Sequence, residues 1–237
     1  MKNRTFFRKG ALFGAFFACF LCLIFPLRAK AAAVALTFDD GPSGTLTREL
    51  LTILKKEDIP ATFFLCGYRI AEYPDAAALY ADTPHELGVH GYSHDYLDTL
   101  SRAACVREIS ETAHAIEDAA GRAPTLLRPP GGRCNAAVCG IAAEQGYPVV
   151  LWSVDPEDWR EERSAAEIAA AVCGAACDGD IILLHEIHRH TLDALPEIVA
   201  GLRSRGFAFL TVSELAARQG VELAAGEKYT SIAPDSR

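Results

Sequence analysis

Basic charge is scarce over most of this chain. The first 31 residues hold six Lys and Arg and no acid, so the other 206 carry 17 basic against 31 acidic residues, a net charge of −14. Phosphate recognition needs a basic face, so this balance argues against nucleic acid as partner and leaves uncharged polymers such as polysaccharides open. Internal repeats, low-complexity linkers and any sign of a second domain are also absent. The 206 residues suit one domain with a full core. After residue 31 no C-x2-C pair occurs, which speaks against a cysteine zinc ribbon.

The N-terminus reads as an address. Lys2, Arg4, Arg8 and Lys9 precede an uncharged run from Ala11 to Leu27, and Ala29-Lys30-Ala31 or Ala31-Ala32-Ala33 offers a small-residue cleavage site. The run falls short of the about 20 apolar residues of a membrane span. Residues 1–31 are therefore expected to be a cleaved signal peptide or an uncleaved membrane anchor. The stretches before Cys19 and Cys22 lack the small residues that lipidation expects. Either outcome places the domain outside the cytoplasm, secreted or membrane-anchored, as a monomer touching membrane only through this segment. Six cysteines remain in the exported part, where disulfides form, and Cys134/Cys139 and Cys173/Cys177 are the simplest pairs.

Short apolar runs at 34–38, 61–66, 87–90, 125–128, 148–153, 180–185 and 207–211 alternate with amphipathic stretches. Ser164-Ala165-Ala166-Glu167 fits a capping box, and Gly121, Gly146 and Gly206 sit where helices should stop. Seven strands alternating with helices predict a parallel α/β fold, either a barrel or a doubly wound sheet. Residues 219–237 read as a loosely held polar tail.

The reactive side chains gather at strand C-terminal ends, the face on which parallel α/β folds build their sites. Asp39 and Asp40 end the first strand, His90 and His94 the third, and Arg128 the fourth; Asp155 and Asp158 follow the fifth, and His185 ends the sixth. Adjacent carboxylates repel, and a hydrolytic metal site can use one as ligand and the other as base. His90 and His94, four residues apart, with one Asp oxygen make three ligands and leave a position open, as a catalytic metal requires. Water acidified by a metal needs a base and an acid beside it, and the second Asp and His185 are available. Arg128 can pair with a carboxylate and keep it ionised. His188 and His190 are expected in a solvated loop, and His85 and His114 as ordinary surface or helix residues.

Thr37-Phe38-Asp39-Asp40-Gly41-Pro42, His90-x3-His94, Arg128-Pro129-Pro130-x-Gly132, Asp155-x2-Asp158-Trp159 and Leu183-Leu184-His185 follow one another in the order of the NodB-homology polysaccharide deacetylases, carbohydrate esterase family 4. The chain resembles that family from about Val34 to Leu215. The resemblance implies a distorted (β/α) barrel of about seven parallel strands, with residues 32–218 as the catalytic domain. It implies a divalent metal on Asp40, His90 and His94, zinc first, with cobalt, nickel or manganese as alternatives. It makes Asp39 the base, held by Arg128, and His185 the acid, oriented by Asp158. Gly131 would donate its N–H to the oxyanion, and Trp159 and Leu183 would line the acetyl pocket. The implied reaction is hydrolytic deacetylation of N-acetylated amino sugars in a polymer. Peptidoglycan is expected first, with chitin, poly-N-acetylglucosamine or acetylxylan as alternatives, and a non-catalytic glycan-binding protein as the other class. Two positions depart from the pattern: Gly91 stands where Ser or Thr is common, and Gly131 where an aromatic is common.

Overall fold

The computed structural model describes Met1 and residues 31–232. Residues 2–30, nearly all of the expected signal peptide or anchor at residues 1–31, and the last five residues lie outside the described residues. Among those described, no helix is long and apolar enough to cross a membrane.

The first strand, β1 (Ala33–Gly41), is buried on both faces almost throughout, which explains why its sequence is a continuous apolar run rather than an alternation. It is followed by α1 (Gly44–Glu57), β2 (Thr62–Leu65), α2 (Gly67–Glu72), α3 (Pro74–Ala77) and β3 (Glu86–Val89). The long α4 (Arg102–Ala120) leads to β4 (Leu126–Leu127), then α5 (Ala136–Gln145), β5 (Val149–Val150) and α6 (Ala165–Ala175). The chain ends with β6 (Ile181–His185), α7 (Arg189–Ser204), β7 (Ala208–Phe209), α8 (Val212–Gln219) and β8 (Lys228–Tyr229). The strand order is β6-β1-β2-β3-β4-β5-β8 with β7 added beside β1, and every paired ladder is parallel. Helices cover this curled sheet, giving the distorted barrel-like α/β fold expected.

Helix limits follow local chemistry. Ser164 and Glu167 close a reciprocal capping box at α6, as their spacing predicts, and Thr211 with Glu214 does the same at α8. Beneath the helices Phe38 stacks on Phe63, ring centroids 5.3 Å apart, within one large apolar cluster.

Three expectations are revised. The polar tail is held in place: β8 pairs with β5, and Ile232 is buried with its N–H on the Gly179 carbonyl at 2.7 Å. His85 is buried, its Nδ1 accepting the Ala61 N–H at 3.2 Å, and burial lowers its pKa to about 4. The described cysteines are free thiols; the sulfurs of Cys134 and Cys139 meet at 2.8 Å, while Cys173 and Cys177 turn toward the carbonyls of Ile198 and Ala175.

Candidate active site

Successive strand residues point to opposite faces, so Asp39 and Asp40 would ordinarily diverge. A register shift between Asp39 and Gly41 prevents this. Asp39 pairs with Phe64 and Gly41 with Leu65, which leaves Asp40 as the extra residue, at φ +69. A bulge of this kind re-aims a side chain at a sheet rim. Both carboxylates thereby reach one imidazole: His90 Nε2 lies 3.6 Å from Asp39 Oδ2 and 3.3 Å from Asp40 Oδ1. His94, also left-handed at φ +65, brings its Nε2 to 3.1 Å from the same Asp40 oxygen. Such backbone angles are costly for non-glycine residues, and both of these belong to the cluster that could hold a metal.

The donor set fits a divalent cation. Asp40 Oδ1 is buried and lacks a hydrogen bond, although the three ligand atoms lie within 4.8 Å of one another. His90 Nδ1 donates to the Arg128 carbonyl at 2.7 Å, so its Nε2 carries a free lone pair. One carboxylate and two imidazoles converge as the ligands of a hydrolytic ion do. Burial would raise the Asp40 pKa, but the neighbouring imidazoles of His90 and His94 outweigh it and hold the carboxyl well below the usual range.

Arg128 is fully buried and spends its guanidinium on Asp39 and the groups around it. It donates to Asp39 Oδ1 at 2.7 Å, Thr37 Oγ1 at 2.8 Å, and the carbonyls of Val150 and Leu151 at 3.0 and 2.8 Å, with Phe64 stacked 4.1 Å beneath. Asp39 Oδ2 is left without a hydrogen-bond donor among the described residues.

Asp39 and His185 are register partners on β1 and β6. The buried Asp158 grips His185 twice, accepting its backbone N–H and its Nδ1–H, each at 2.7 Å, and takes the Thr191 hydroxyl as well. Burial favours the neutral imidazole, yet the hydrogen bond to Asp158 and the charges of Asp158, Asp39 and Asp40 raise the His185 pKa to about 9. Leu183 lies two residues before His185 on the same face of β6, opposite Thr37. Trp159 is exposed beside Asp158, and Gly131 sits at φ +62 in the one-turn helix Pro130–Gly132. Asp155 stays outside the site, its carboxylate capping the Glu157 N–H at 2.8 Å.

Several supports were not visible in the sequence. Glu108 of α4 accepts the N–H groups of Tyr92 and Ser93 at 2.7 and 2.8 Å and the Ser93 hydroxyl at 3.0 Å, bracing the loop between the two histidines. That brace stands in for the hydroxyl missing at Gly91. Glu186 is fully buried, accepts from Thr47 and from the Tyr80 hydroxyl, and packs so tightly on Gly41 that a Cβ there would come within 1.9 Å of its Oε2. Burial raises its pKa to about 7. His190 is not in a solvated loop; it stands in α7 and donates Nε2–H to the Asp158 carbonyl at 2.5 Å. His188 precedes that helix, half-buried and 5.9 Å from the His185 ring. No short-range spacing signals these partners.

Asp39 and His185 in register beside three potential cation ligands, on the C-terminal rim of a parallel sheet, form an arrangement suited to hydrolysis. The polysaccharide deacetylase family model matches residues 27–150, and the chain belongs to that family. It is similar to the peptidoglycan-N-acetylglucosamine deacetylase PgdA of Listeria monocytogenes, 37% identical over 83% of this chain, and to the peptidoglycan-N-acetylmuramic acid deacetylase PdaC of Bacillus subtilis, 40% identical over 77%. The chain spans 41% and 38% of those two relatives. A family 4 acetyl xylan esterase from Clostridium thermocellum, solved with a cobalt ion, matches with a TM-score of 0.79 and 33% identity, over 84% of this chain and 98% of that one.

Proposed function

We propose that this protein is a divalent-metal-dependent hydrolase that removes acetyl groups from the N-acetylated amino sugars of peptidoglycan, acting outside the cytoplasm. The observation that carries the reading is the register pairing of Asp39 with His185 beside the Asp40–His90–His94 cluster. The peptidoglycan deacetylase relatives support the substrate. The basic-then-apolar N-terminal segment supports export to the wall.

Asp40, His90 and His94 would hold the ion, zinc first among the candidates. A divalent ion supplies Lewis acidity, acidifying water and polarising a carbonyl. Asp39, hydrogen-bonded to Arg128 through Oδ1, takes a proton from the attacking water through its free Oδ2. The Gly131 N–H, to which the turn's own hydrogen bonds assign no acceptor, donates to the acetyl oxygen. His185, protonated and fixed by Asp158, gives its Nε2 proton to the departing amine. Leu183 and Trp159 bound the space for the acetyl methyl. Acetate and a free amine are the products.

The test is acetate release from peptidoglycan and from N-acetylglucosamine oligomers, with and without a chelator, followed by mass spectrometry of the muropeptides. Release that stops on chelation is expected, with the masses separating glucosamine from muramic acid products. Acetylxylan belongs in the same panel because of the esterase likeness. A metal-loaded protein that releases no acetate from any of these polymers would overturn the reading in favour of a glycan-binding role.

A further inference from the structure

Apart from Met1, the large hydrophobic residues left exposed among those described are Tyr68, Tyr96 and Trp159, which lie on the segments that follow β2, β3 and β5. Tyr68 and Trp159 lie against arginines next to them in the chain. Tyr96 is held differently. Arg133, from the loop after β4, places its guanidinium carbon 4.6 Å over the ring. Asp98 fixes that arginine through Nε at 3.1 Å and a terminal nitrogen at 2.9 Å. The Tyr96 carbonyl accepts both the N–H and the hydroxyl of Thr99, at 2.9 and 2.7 Å, which pins the backbone beneath the ring.

The remaining support comes from a missing side chain. A Cβ on Gly131 would lie 2.9 Å from Tyr96 Cε1, and one on Gly132 would lie 2.8 Å from Trp152 Cη2. The two glycines, at φ +62 and +68, therefore run as bare backbone between two aromatic rings. Any larger residue at 131 would evict Tyr96 as well as strain the backbone. With an arginine on one face of the ring and backbone against an edge, Tyr96 as a residue is still 47% exposed. A rigid tyrosine with one open face binds at little entropic cost. The open face lies two residues from His94 and beside Gly131, at the mouth of the candidate site.

We propose that Tyr96, backed by Gly131 and clamped by Arg133 and Asp98, is a stacking platform for a pyranose ring of the glycan chain. It rests on the glycan substrate proposed above and adds the residue that holds a sugar unit against the metal-side wall. The C–H face of a pyranose is apolar and matches the ring, while Arg133, whose second terminal nitrogen is not used by Asp98, offers N–H groups to the sugar hydroxyls. The interaction serves bound substrate and transition state alike, so it belongs to binding rather than to the chemical step.

The probe is a β-1,4-linked N-acetylglucosamine tetramer, used with the full metal-loaded chain. Tyr96→Ala should raise KM for the tetramer about tenfold, with the effect falling on KM rather than kcat, and Tyr96→Phe should stay within about twofold of the native protein. Calorimetric titration in an Asp39→Asn background, where turnover is removed, should give the same ratio in Kd. Metal content and unfolding midpoint check that each variant is folded. Equal KM and Kd in the native and Tyr96→Ala proteins would overturn the platform, and so would a Phe variant as weak as the Ala one. The titration also separates the two proposals. A folded protein that binds the tetramer through Tyr96 but releases no acetate overturns the deacetylase reading alone, and one that binds no tetramer overturns the platform.

Discussion

Glu86 and Asp40 are both shielded carboxylates at opposite ends of the same sheet, and they are treated in opposite ways. Glu86, at the start of β3, accepts from the hydroxyls of Thr62 and Thr125 and from both the N–H and hydroxyl of Ser213, tying β2, the entry to β4 and α8 together. Asp40, at the other rim, keeps a buried oxygen with no hydrogen bond, facing two imidazole nitrogens. Buried polar groups are nearly always satisfied, so the exception is the informative one. The satisfied carboxylate closes a structure, and the unsatisfied one belongs to the candidate metal cluster. A groove lined by Leu51, Ile59, Pro60 and His85 also opens at the Glu86 end, and none of the reactive groups borders it.

That contrast can be broken by mutation. The largest effect is expected at the ligand end: Asp39→Asn should lower acetate release by about 10²–10⁴-fold while the protein still folds and retains metal. Full activity in that variant would sink the base assignment. At the structural end the pattern inverts. Glu86→Ala leaves several donors unanswered and should cost about 1–3 kcal/mol in denaturant titration, with kcat/KM unchanged for the folded fraction. A loss of activity without a loss of stability would erase the distinction between the two ends.

Glu108→Gln sharpens the comparison at the loop between the metal histidines, because one neutral oxygen replaces a carboxylate that holds two N–H groups and a hydroxyl. Metal affinity should fall about 10–100-fold in chelator competition, as for other outer-shell partners, with little change in the unfolding midpoint. A midpoint shift with intact affinity would make Glu108 a purely structural residue.

The mildest test is pH. His185 is held at about 9, above its ordinary 6.5, so it remains the acid form through neutrality. Since the folded state binds this proton more tightly than the unfolded one, the stabilisation from the Asp158 pair is complete below pH 6.5 and disappears as pH rises through about 9. The alkaline limb of kcat should therefore fall at or below pH 9, a bound cation offsetting part of the carboxylate charge that raises His185. Asp158→Asn should move the limb toward lower pH, and an unmoved limb would remove Asp158 from that role.

The candidate site residues could be picked out as a group because most sit at or soon after the end of a short apolar strand, where composition changes abruptly. So could the capping box of α6, whose signal is local. The residues alone left a barrel and a doubly wound sheet equally open, since strand order is a long-range property. The bulge at Asp40 was hidden for a similar reason, because it exists only relative to the register of β2. Glu108, Glu186 and His85 look like ordinary polar residues until distant segments bury or recruit them. The last strand was missed because two residues, Lys228 and Tyr229, carry no period to read.

The pairing of Asp39 with His185 across β1 and β6 has a mechanical consequence. The two proposed proton-transfer residues face each other on one rung of a parallel ladder, so their backbones are held by strands rather than loops. Tyr96, Arg133 and Trp159 stand on the loops above. Such a division allows the upper layer to be exchanged, lengthened or regrafted while Asp39 and His185 beneath keep their spacing.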